Sequence, residues 1–326
     1  MKGLTTTQLA LIAAAIVVVA AVGAYFLYPR PTTQMIVSTT TSLYETGLLD
    51  VLKQRFEQKN PGYNVSFISQ GTGKAIDTAK RGDADMILVH DPPQELAFLN
   101  DGYGVNRKII AYNFFIIVGP ISDPAGISGK SPIEALEAIK AAGEEGSVFW
   151  VSRGDNSGTH AKEQRMWNAA GINYTEIRTQ PWYLEAGTGM TATLQLADQK
   201  DAYTLSDVAS YLKNKKQGNI QLAKLVEAGK DTLNVYSAIA CNPQKLTSAK
   251  FDAAMAFIKF LISDEVQELF DNFGVADYGE ALFKPWIPLM TSGSNPELKQ
   301  WIEEYAYFEE SECPSRFRYN PGNLYG

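Results

Sequence analysis

Cysteine and histidine are scarce in this 326-residue chain, which has two of each. The catalytic signatures HExxH, CxxC and GxSxG are absent from it. The sequence therefore offers no constellation for a metal site, and it gives little support to nucleophilic or acid–base catalysis. We expect a protein without metal or cofactor that binds a ligand and is not an enzyme.

A surplus of positive charge is also missing. Lys and Arg number 29 against 36 Asp and Glu, which gives a net charge of −7 at pH 7. Since residues 1–30 hold the basic residues Lys2 and Arg30 and no acidic ones, the rest of the chain carries −9. Such a surface does not suit nucleic acid. An anionic ligand would have to be attracted by local donors, because the overall field repels it.

A long apolar run stands at the start of the chain. No charged residue interrupts Leu9 to Leu27, and about 20 apolar residues are enough to span a bilayer. The small residues of Val22–Ala24 also fit a signal-peptidase site, so a membrane-anchoring hydrophobic helix and a cleaved signal are alternatives. The length of the run and the stiff spacer Pro29–Thr33 favour the anchor. We assign residues 1–33 to this segment and expect the folded part to lie outside the cytoplasm.

The cysteines, Cys241 and Cys313, both fall in the exported part, where an oxidising compartment permits a disulfide. A bridge between them would attach the last segment of the chain to the body of the protein. We expect this bridge, with two separate thiols as the alternative. From about Thr291 onward we expect a segment packed on the outside of the fold, with a partner-docking surface as the weaker alternative.

Short β-branched runs alternate with helix-like stretches from Met35 onward. The predicted strands include Tyr63–Ile68, Lys108–Ala111 and Phe114–Val118, and the predicted helices include Gly47–Lys59 and Gly158–Ala170. This rhythm is typical of βαβ units and predicts an α/β fold with a mostly parallel sheet. The apolar runs at Lys108–Val118 and near Val235 are suited to carry the chain between two lobes. We predict lobe I over 34–112 and 235–326 and lobe II over 113–234, with a ligand cleft between them.

Four clusters of Gly, Ser and Thr follow apolar runs and open probable helices. They are Ser38–Ser42, Gln70–Lys74, Ser152–His160 and Glu185–Met190. A helix start presents unpaired N–H groups and about half a positive charge. Several such starts meeting in one cleft would form a cage for an anion.

The third cluster also carries an arginine. Arg153 stands beside the helix start that Asn156 and Ser157 would cap, and its planar fork suits two-point contact with an oxyanion. The structural alternative is an ion pair between Arg153 and Asp155 with ordinary capping.

Gln70–Lys74 is not a nucleotide-binding P-loop. Ile68 and Ala75 occupy the places where that motif needs Gly and Ser or Thr. The cluster is instead interpreted as a glycine turn whose amides, together with Thr72, point into the cleft.

At these residues the chain resembles the substrate-binding proteins of tungstate-type ABC transporters. The resemblance covers about 35–288 and rests on the order and spacing of several motifs. They are Ser38–Ser42, Gly71–Gly73, Asp83–Asp85 with Leu88–His90, Ser152–His160, Glu185–Met190 and Tyr203–Asp207.

The resemblance implies a two-lobed periplasmic-binding-protein fold of type II that closes on an oxyanion. It implies tungstate as the ligand, with molybdate as a close second, and an ABC permease and its ATPase as partners of a monomer. It assigns ion pairing to Arg153, and hydroxyl or backbone donation to a further set. That set is Thr41, Ser42, Thr72, Ser157 and Thr159, with Thr40 and Thr188 as weaker members.

Two other functions stay open. A phosphate- or other oxyanion-binding protein of the same fold also uses Arg, Asp and a Ser-Gly-Thr turn, and Asp155 would accept the proton that phosphate keeps. An extracellular enzyme on a phosphorylated or sulfated substrate would need His160 as its base.

Overall fold

The computed structural model describes residues 5–7, 13, 15–18, 32–227 and 229–320. Most of the predicted anchor, residues 9–27, lies outside this part of the chain. Among the residues that are described, no helix is long and apolar enough to cross a membrane.

Strands and helices alternate along the described chain. The strands are β1 Thr33–Thr40, β2 Tyr63–Gln70, β3 Met86–Val89, β4 Gly104–Gly119, β5 Trp150–Ser152, β6 Tyr183–Glu185, β7 Tyr203–Asp207, β8 Ala223–Val226, β9 Leu233–Cys241 and β10 Lys284–Pro285. The helices are α1 Thr41–Glu45, α2 Leu48–Lys59, α3 Thr72–Lys80, α4 Pro92–Asn100, α5 Pro132–Glu144, α6 Gly158–Ala169, α7 Tyr174–Ile177, α8 Met190–Gln199, α9 Val208–Lys216, α10 Phe251–Leu261, α11 Asp264–Asn272, α12 Val275–Tyr278, α13 Trp286–Ser292 and α14 Pro296–Ala306.

The strands pair in the order β2-β1-β3-β9-β4-β7-β5-β6, and β8 and β10 both pair with β4. Parallel pairs join β1 to β2 and β3, and join β5 to β6 and β7. The central pairs β3–β9, β9–β4 and β4–β7 are antiparallel. The fold is α/β, but its sheet is mixed and not mostly parallel as predicted.

A single strand, β4, connects the two ends of this sheet. Its residues Gly104–Phe114 pair with β9, and Phe115–Val118 pair with β7. We call β1, β2, β3, β9, β10 and the start of β4 the first half-sheet, and β5, β6, β7, β8 and the end of β4 the second half-sheet. The two strands predicted within 108–118 are therefore one long strand that belongs to both.

Each half-sheet has its own apolar core. Phe56 of α2 and Phe257 of α10 meet edge-to-face against the first half-sheet, with ring centroids 4.9 Å apart. Trp150 of β5 and Trp167 of α6 meet the same way beside the second, at 5.2 Å. Aromatic pairs of this geometry stabilise a core beyond the area they bury.

The prediction of a disulfide between Cys241 and Cys313 is wrong. Cys241 and Cys313 are separate, buried thiols, because each sulfur is directed at a backbone carbonyl, of Ala84 and of Phe317 respectively.

The last segment is attached by a buried arginine instead. Arg107 of β4 donates through Nη1 to the carbonyl oxygens of Ala306 (2.8 Å) and Glu312 (2.9 Å). Its Nε donates to Glu95 Oε2 at 2.7 Å, and its guanidinium lies 4.5 Å from the ring centroid of Phe308. The chain after α13 thus packs on the outside of the first half-sheet.

Candidate functional site

Three helices begin directly after strands of the two half-sheets, and each opens in one of the predicted clusters. Helix α1 begins at Thr41 after β1, α3 at Thr72 after β2, and α6 at Gly158 soon after β5. The first of these, α1, precedes the helix predicted over Gly47–Lys59, which is present as α2, because the Ser and Thr run itself forms a helical turn.

The starts of α3 and α6 are in contact. A methyl group on Gly71, the N-cap of α3, would lie 3.5 Å from the carbonyl oxygen of Asp155 and 3.6 Å from Cα of Ser157. Ser157 caps α6 by accepting from the N–H of His160 at 3.2 Å, whereas no side chain caps α3. The first amides of α3 therefore keep their capacity to bind an anion.

Arg153 lies between the half-sheets and is 2% exposed. Its Nη2 donates to Thr41 Oγ1 at 3.3 Å and to Asp155 Oδ2 at 2.5 Å, so the ion pair expected as the structural alternative is present. Its Nε is buried and has no hydrogen-bond partner among the residues described. A buried guanidinium N–H without an acceptor is costly, and an anion beside it would remove that cost.

Two of the predicted hydroxyl donors are likewise buried and without partners. Thr72 is 0% and Thr159 is 1% exposed, and neither Oγ1 makes a hydrogen bond within the described part of the chain. Both stand in the first turn of their helices, α3 and α6. Thr72 Oγ1 also lies close to the start of α6, since a methyl group on Gly158 would lie 3.0 Å from it.

The hydroxyls of the first cluster are partly engaged with one another. Thr40 Oγ1 accepts from the N–H of Leu43 at 3.4 Å and lies 3.4 Å from Ser42 Oγ. Ser42 Oγ in turn lies 3.4 Å from Nε2 of His90. These are long contacts, so the hydroxyls can turn towards a better acceptor.

The fourth cluster stands apart from this group. Thr188 is exposed, and the helix start that follows it faces a carboxylate of the protein itself. Thr191 Oγ1 donates to Glu45 Oε2 at 3.0 Å, and a methyl group on Gly189 would lie 3.6 Å from Glu45 Oε1. Glu45 therefore occupies the place of an anion at the start of α8.

Two buried side chains beside Arg153 were not among the predicted site residues. His90 follows β3 and Asp207 ends β7, and both are almost fully buried. Within the residues that the structure describes, His90 Nδ1 and Asp207 Oδ2 lack hydrogen-bond partners. Their positions at the carboxyl ends of strands are the signal that points to them, because ligands of open α/β sheets bind at that edge.

Burial sets the charge of both groups. It lowers the pKa of His90 to about 4, with a further contribution from the charge of Arg153, so the imidazole is neutral near pH 7. Burial raises the pKa of the Asp207 carboxyl, while the charge of Arg153 acts in the opposite direction. His90 and Asp207 are thus held closer to neutrality than they would be in water.

His160 is occupied in a way that does not suit a general base. Its Nδ1 accepts from the N–H of Asn156 at 3.0 Å, and its Nε2 lies 2.7 Å from Tyr174 Oη and 2.9 Å from Gln164 Nε2. Both ring nitrogens therefore serve the first turn of α6 and its neighbour α7. Within the described residues, no group of three or more His, Cys, Asp and Glu side chains is arranged to hold a metal ion.

Known proteins resemble the chain over most of its length. The PBP superfamily domain matches residues 28–265. A protein of Haloferax volcanii that is named as an ABC transporter anion-binding protein is 44% identical over 83% of this chain and 76% of its own length. The tungstate-binding protein TupA of Peptoclostridium acidaminophilum is 37% identical over 77% of this chain and 85% of its own length.

A solved structure agrees with these relatives. The tungstate-binding protein TupA of Desulfovibrio alaskensis is 37% identical, with a TM-score of 0.66 over 79% of this chain and 99% of that one. The chain therefore belongs to the PBP superfamily, in the family of substrate-binding proteins of tungstate-type ABC transporters.

Proposed function

We propose that this protein captures tungstate, with molybdate as a second ligand, and delivers it to an ABC permease and its ATPase. The names of its relatives support a solute-binding protein of ABC transport. His160, the base that an enzyme on this fold would need, has both ring nitrogens engaged within the protein. Binding without turnover is therefore the activity we assign.

The observation that carries the proposal is the set of buried donors without acceptors at two helix starts. Thr72 Oγ1, Thr159 Oγ1 and Arg153 Nε are all in this state. A fully deprotonated tetrahedral oxyanion presents only acceptors, so it would satisfy all three together with the free amides of α3. The helix starts add about half a positive charge each, which suits a dianion.

We propose the predicted lobes as the moving parts. Lobe I, 34–112 with 235–326, would contribute Thr40, Thr41, Ser42 and Thr72, and lobe II, 113–234, would contribute Arg153, Ser157 and Thr159. Thr188 remains a candidate at the rim. The contact between Arg153 Nη2 and Thr41 Oγ1 joins the two groups, which is expected of a closed two-lobed protein of type II that holds its ligand in the cleft.

The same reasoning extends to location and assembly. Substrate-binding proteins of ABC importers work outside the cytoplasm, and we propose that residues 1–33 anchor this one to the membrane as a monomer. If the leader is cleaved, the protein would be secreted or periplasmic.

Phosphate is the second candidate ligand, and one observation favours it. Asp207 Oδ2 is a buried acceptor without a donor, and the carboxylate of Asp155 lies beside Arg153 at 2.5 Å. Either group could accept the proton of hydrogen phosphate. The many hydroxyl and amide donors favour the deprotonated anions instead.

Calorimetric titration with tungstate, molybdate, sulfate and phosphate tests the assignment. Arg153→Ala should weaken tungstate binding by about a hundredfold or more, because it removes a charged, buried donor. Arg81→Ala is the matched control, since Arg81 is an exposed arginine at the other end of α3, paired with Asp83. Equal affinities of Arg153→Ala and the unmodified protein would refute the site, and phosphate binding in preference to tungstate would select the second candidate.

A further inference from the structure

His90 is a buried histidine that has no role in the oxyanion site proposed above. It is 2% exposed, and its Nδ1 has no hydrogen-bond partner. The other ring nitrogen, Nε2, lies 3.4 Å from Ser42 Oγ. One edge of the ring is thus turned towards α1, and the remaining nitrogen makes no hydrogen bond with the part of the chain that the structure describes.

The position of that free edge follows from Gly158, the first residue of α6. A methyl group at this glycine would lie 2.8 Å from Cε1 and 3.1 Å from Nδ1 of His90. It would also lie 3.0 Å from Thr72 Oγ1. The imidazole edge and the unpartnered threonine hydroxyl therefore approach the same point at the start of α6, next to Thr159 of the proposed oxyanion site.

The His90 ring packs against two aromatic rings and is uncharged near pH 7. Tyr236 lies 5.1 Å and Phe115 6.3 Å from it between ring centroids. Burial and the charge of Arg153 lower its pKa to about 4, so near pH 7 the imidazole carries one proton on either Nδ1 or Nε2. The Ser42 hydroxyl beside Nε2 can supply a donor to that nitrogen, which leaves the proton for Nδ1.

Asn234 is a neighbouring side chain that acts to raise the pKa of His90. Its Oδ1 has no hydrogen-bond partner among the described residues. Its amide nitrogen is already committed to Asn113 Oδ1 at 2.8 Å and Tyr236 Oη at 2.9 Å. Neither Asn234 nor the backbone of His90, which also acts to raise the pKa of the ring, holds Nδ1 in a hydrogen bond.

We propose that His90 is a ligand-contacting residue of the oxyanion site, donating to the bound anion through Nδ1–H while Nε2 accepts from Ser42. This inference rests on the proposed function and adds a neutral donor from the first half-sheet. A neutral imidazole supplies a hydrogen bond without adding a positive charge to those of Arg153 and the helix starts. It therefore selects for oxygen acceptors and not simply for negative charge.

Three substitutions separate the two nitrogens of the ring. The amide nitrogen of His90→Asn can occupy about the place of Nδ1, that of His90→Gln about the place of Nε2, and His90→Leu supplies neither. Loss of a hydrogen bond to a charged ligand corresponds to about tenfold or more in tungstate affinity. We expect that loss in His90→Gln and His90→Leu, and an affinity within about fivefold of the unmodified protein in His90→Asn.

Nitrogen NMR of the histidine rings distinguishes ligand contact by His90 from a purely structural role. The chain has two histidines, His90 and His160, so tag-free protein labelled at histidine nitrogen shows two rings. Saturation with tungstate should shift the Nδ1 resonance of His90 and leave that of His160, which is engaged within the protein, nearly unchanged.

The outcomes distinguish the two proposals. If the unmodified protein binds none of the four oxyanions, the proposed function fails. If it binds tungstate but the three variants bind equally well, or lose affinity equally, His90 serves only the packing of the site and this inference is overturned. An unmoved His90 resonance in the saturated protein would overturn it as well.

Discussion

At the scale of single residues, the first position of α6 admits only glycine. A methyl group on Gly158 would come within 2.8 Å of His90 Cε1 and 3.0 Å of Thr72 Oγ1. Both neighbours are fixed, since His90 is wedged between aromatic rings and Thr72 begins a helix. A side chain here would push α6 away from the first half-sheet and fill the space that the unpartnered donors face.

We therefore expect Gly158→Ala to weaken tungstate binding by about a hundredfold, since it separates donors that must act together. Gly62→Ala is the control, because a methyl group on Gly62 meets nothing within 4 Å. Calorimetry on both variants measures the effect, and thermal unfolding shows whether each still folds. Tungstate affinity unchanged in Gly158→Ala would mean that the ligand binds elsewhere.

At the scale of elements, one buried carboxyl positions the loop that carries Arg153. Glu163 of α6 accepts from Trp150 Nε1 at 2.7 Å and from Trp167 Nε1 at 3.3 Å, both through Oε1. Tyr183 Oη also donates to Oε1. Ser152 Oγ donates to Oε2 at 2.8 Å, and Gly154 N–H donates to Ser152 Oγ at 3.2 Å. The strand end and the loop after it are thereby fixed to the helix that the loop precedes.

Glu163 also makes folding depend on pH. Burial raises its pKa to about 7, although the hydrogen bonds act in the opposite direction. Between its ordinary pKa of 4.5 and about 7, the folded state holds a proton that the unfolded state has lost, so this group lowers the free energy of unfolding as pH rises through that window.

Glu163→Gln should remove this dependence. Its amide oxygen can keep the three contacts of Oε1, and its NH2 group can donate to Ser152 Oγ. We expect the variant to equal the unmodified protein at pH 4.5 and to exceed it by about 2 kcal/mol at pH 7.5. Urea unfolding at the two pH values measures this difference, and a constant difference at both values would contradict it.

The elements themselves were predictable to differing degrees. Runs such as Tyr63–Ile68 and helices such as 158–170 were found close to their observed bounds, because their apolar residues recur at the period of the element. The short strands β6 and β8 were missed, since three or four residues show no period. The antiparallel centre of the sheet was missed as well, because strand direction depends on chain connections and not on local pattern.

The site was predictable where it depends on local sequence. The helix starts that carry Thr72 and Thr159 were visible as Gly, Ser and Thr clusters. The features that depend on long-range packing could not be predicted from local sequence. Thr188 is exposed, Cys241 and Cys313 each face a backbone carbonyl, and His90 Nδ1 has no hydrogen-bond partner among the described residues. These outcomes are decided by which distant segments share an interior.

At the scale of the whole molecule, α6 also links the two half-sheets through side chains beyond its first turn. Arg165 of α6 donates to Asp91, which directly follows His90, at 2.5 Å. Lys162, one turn earlier, has its ammonium 4.4 Å from the ring centroid of Tyr305 on α14. The helix whose start faces the proposed ligand is thus also held by the first half-sheet and by the last segment of the chain.

Burial of the charged Lys162 side chain lowers the free energy of unfolding in this arrangement. It is 5% exposed, and burial, with a contribution from the charge of Arg165, lowers its pKa from 10.5 to about 7. Below pH 7 the lysine is protonated in both states and its burial penalty is fully present. Between about 7 and 10.5 the unfolded state holds a proton that the folded state has lost, so the free energy of unfolding rises with pH across that window.

Lys162→Met replaces the ammonium by an apolar group of similar length and should be more stable than the unmodified protein at pH 6.5. The gain expected is about 2 kcal/mol, because the loss of the cation–π contact with Tyr305 offsets part of the relieved penalty. The gain should shrink as the pH approaches 9.5, since the unmodified protein then folds with an uncharged lysine.

Denaturant unfolding at several pH values measures this gain in stability. Lys130→Met is the control, because Lys130 is exposed and lies outside α6. If Lys162→Met were less stable than the unmodified protein at pH 6.5, the charged lysine would be a net stabilising link between α6 and α14, and its burial would carry no penalty.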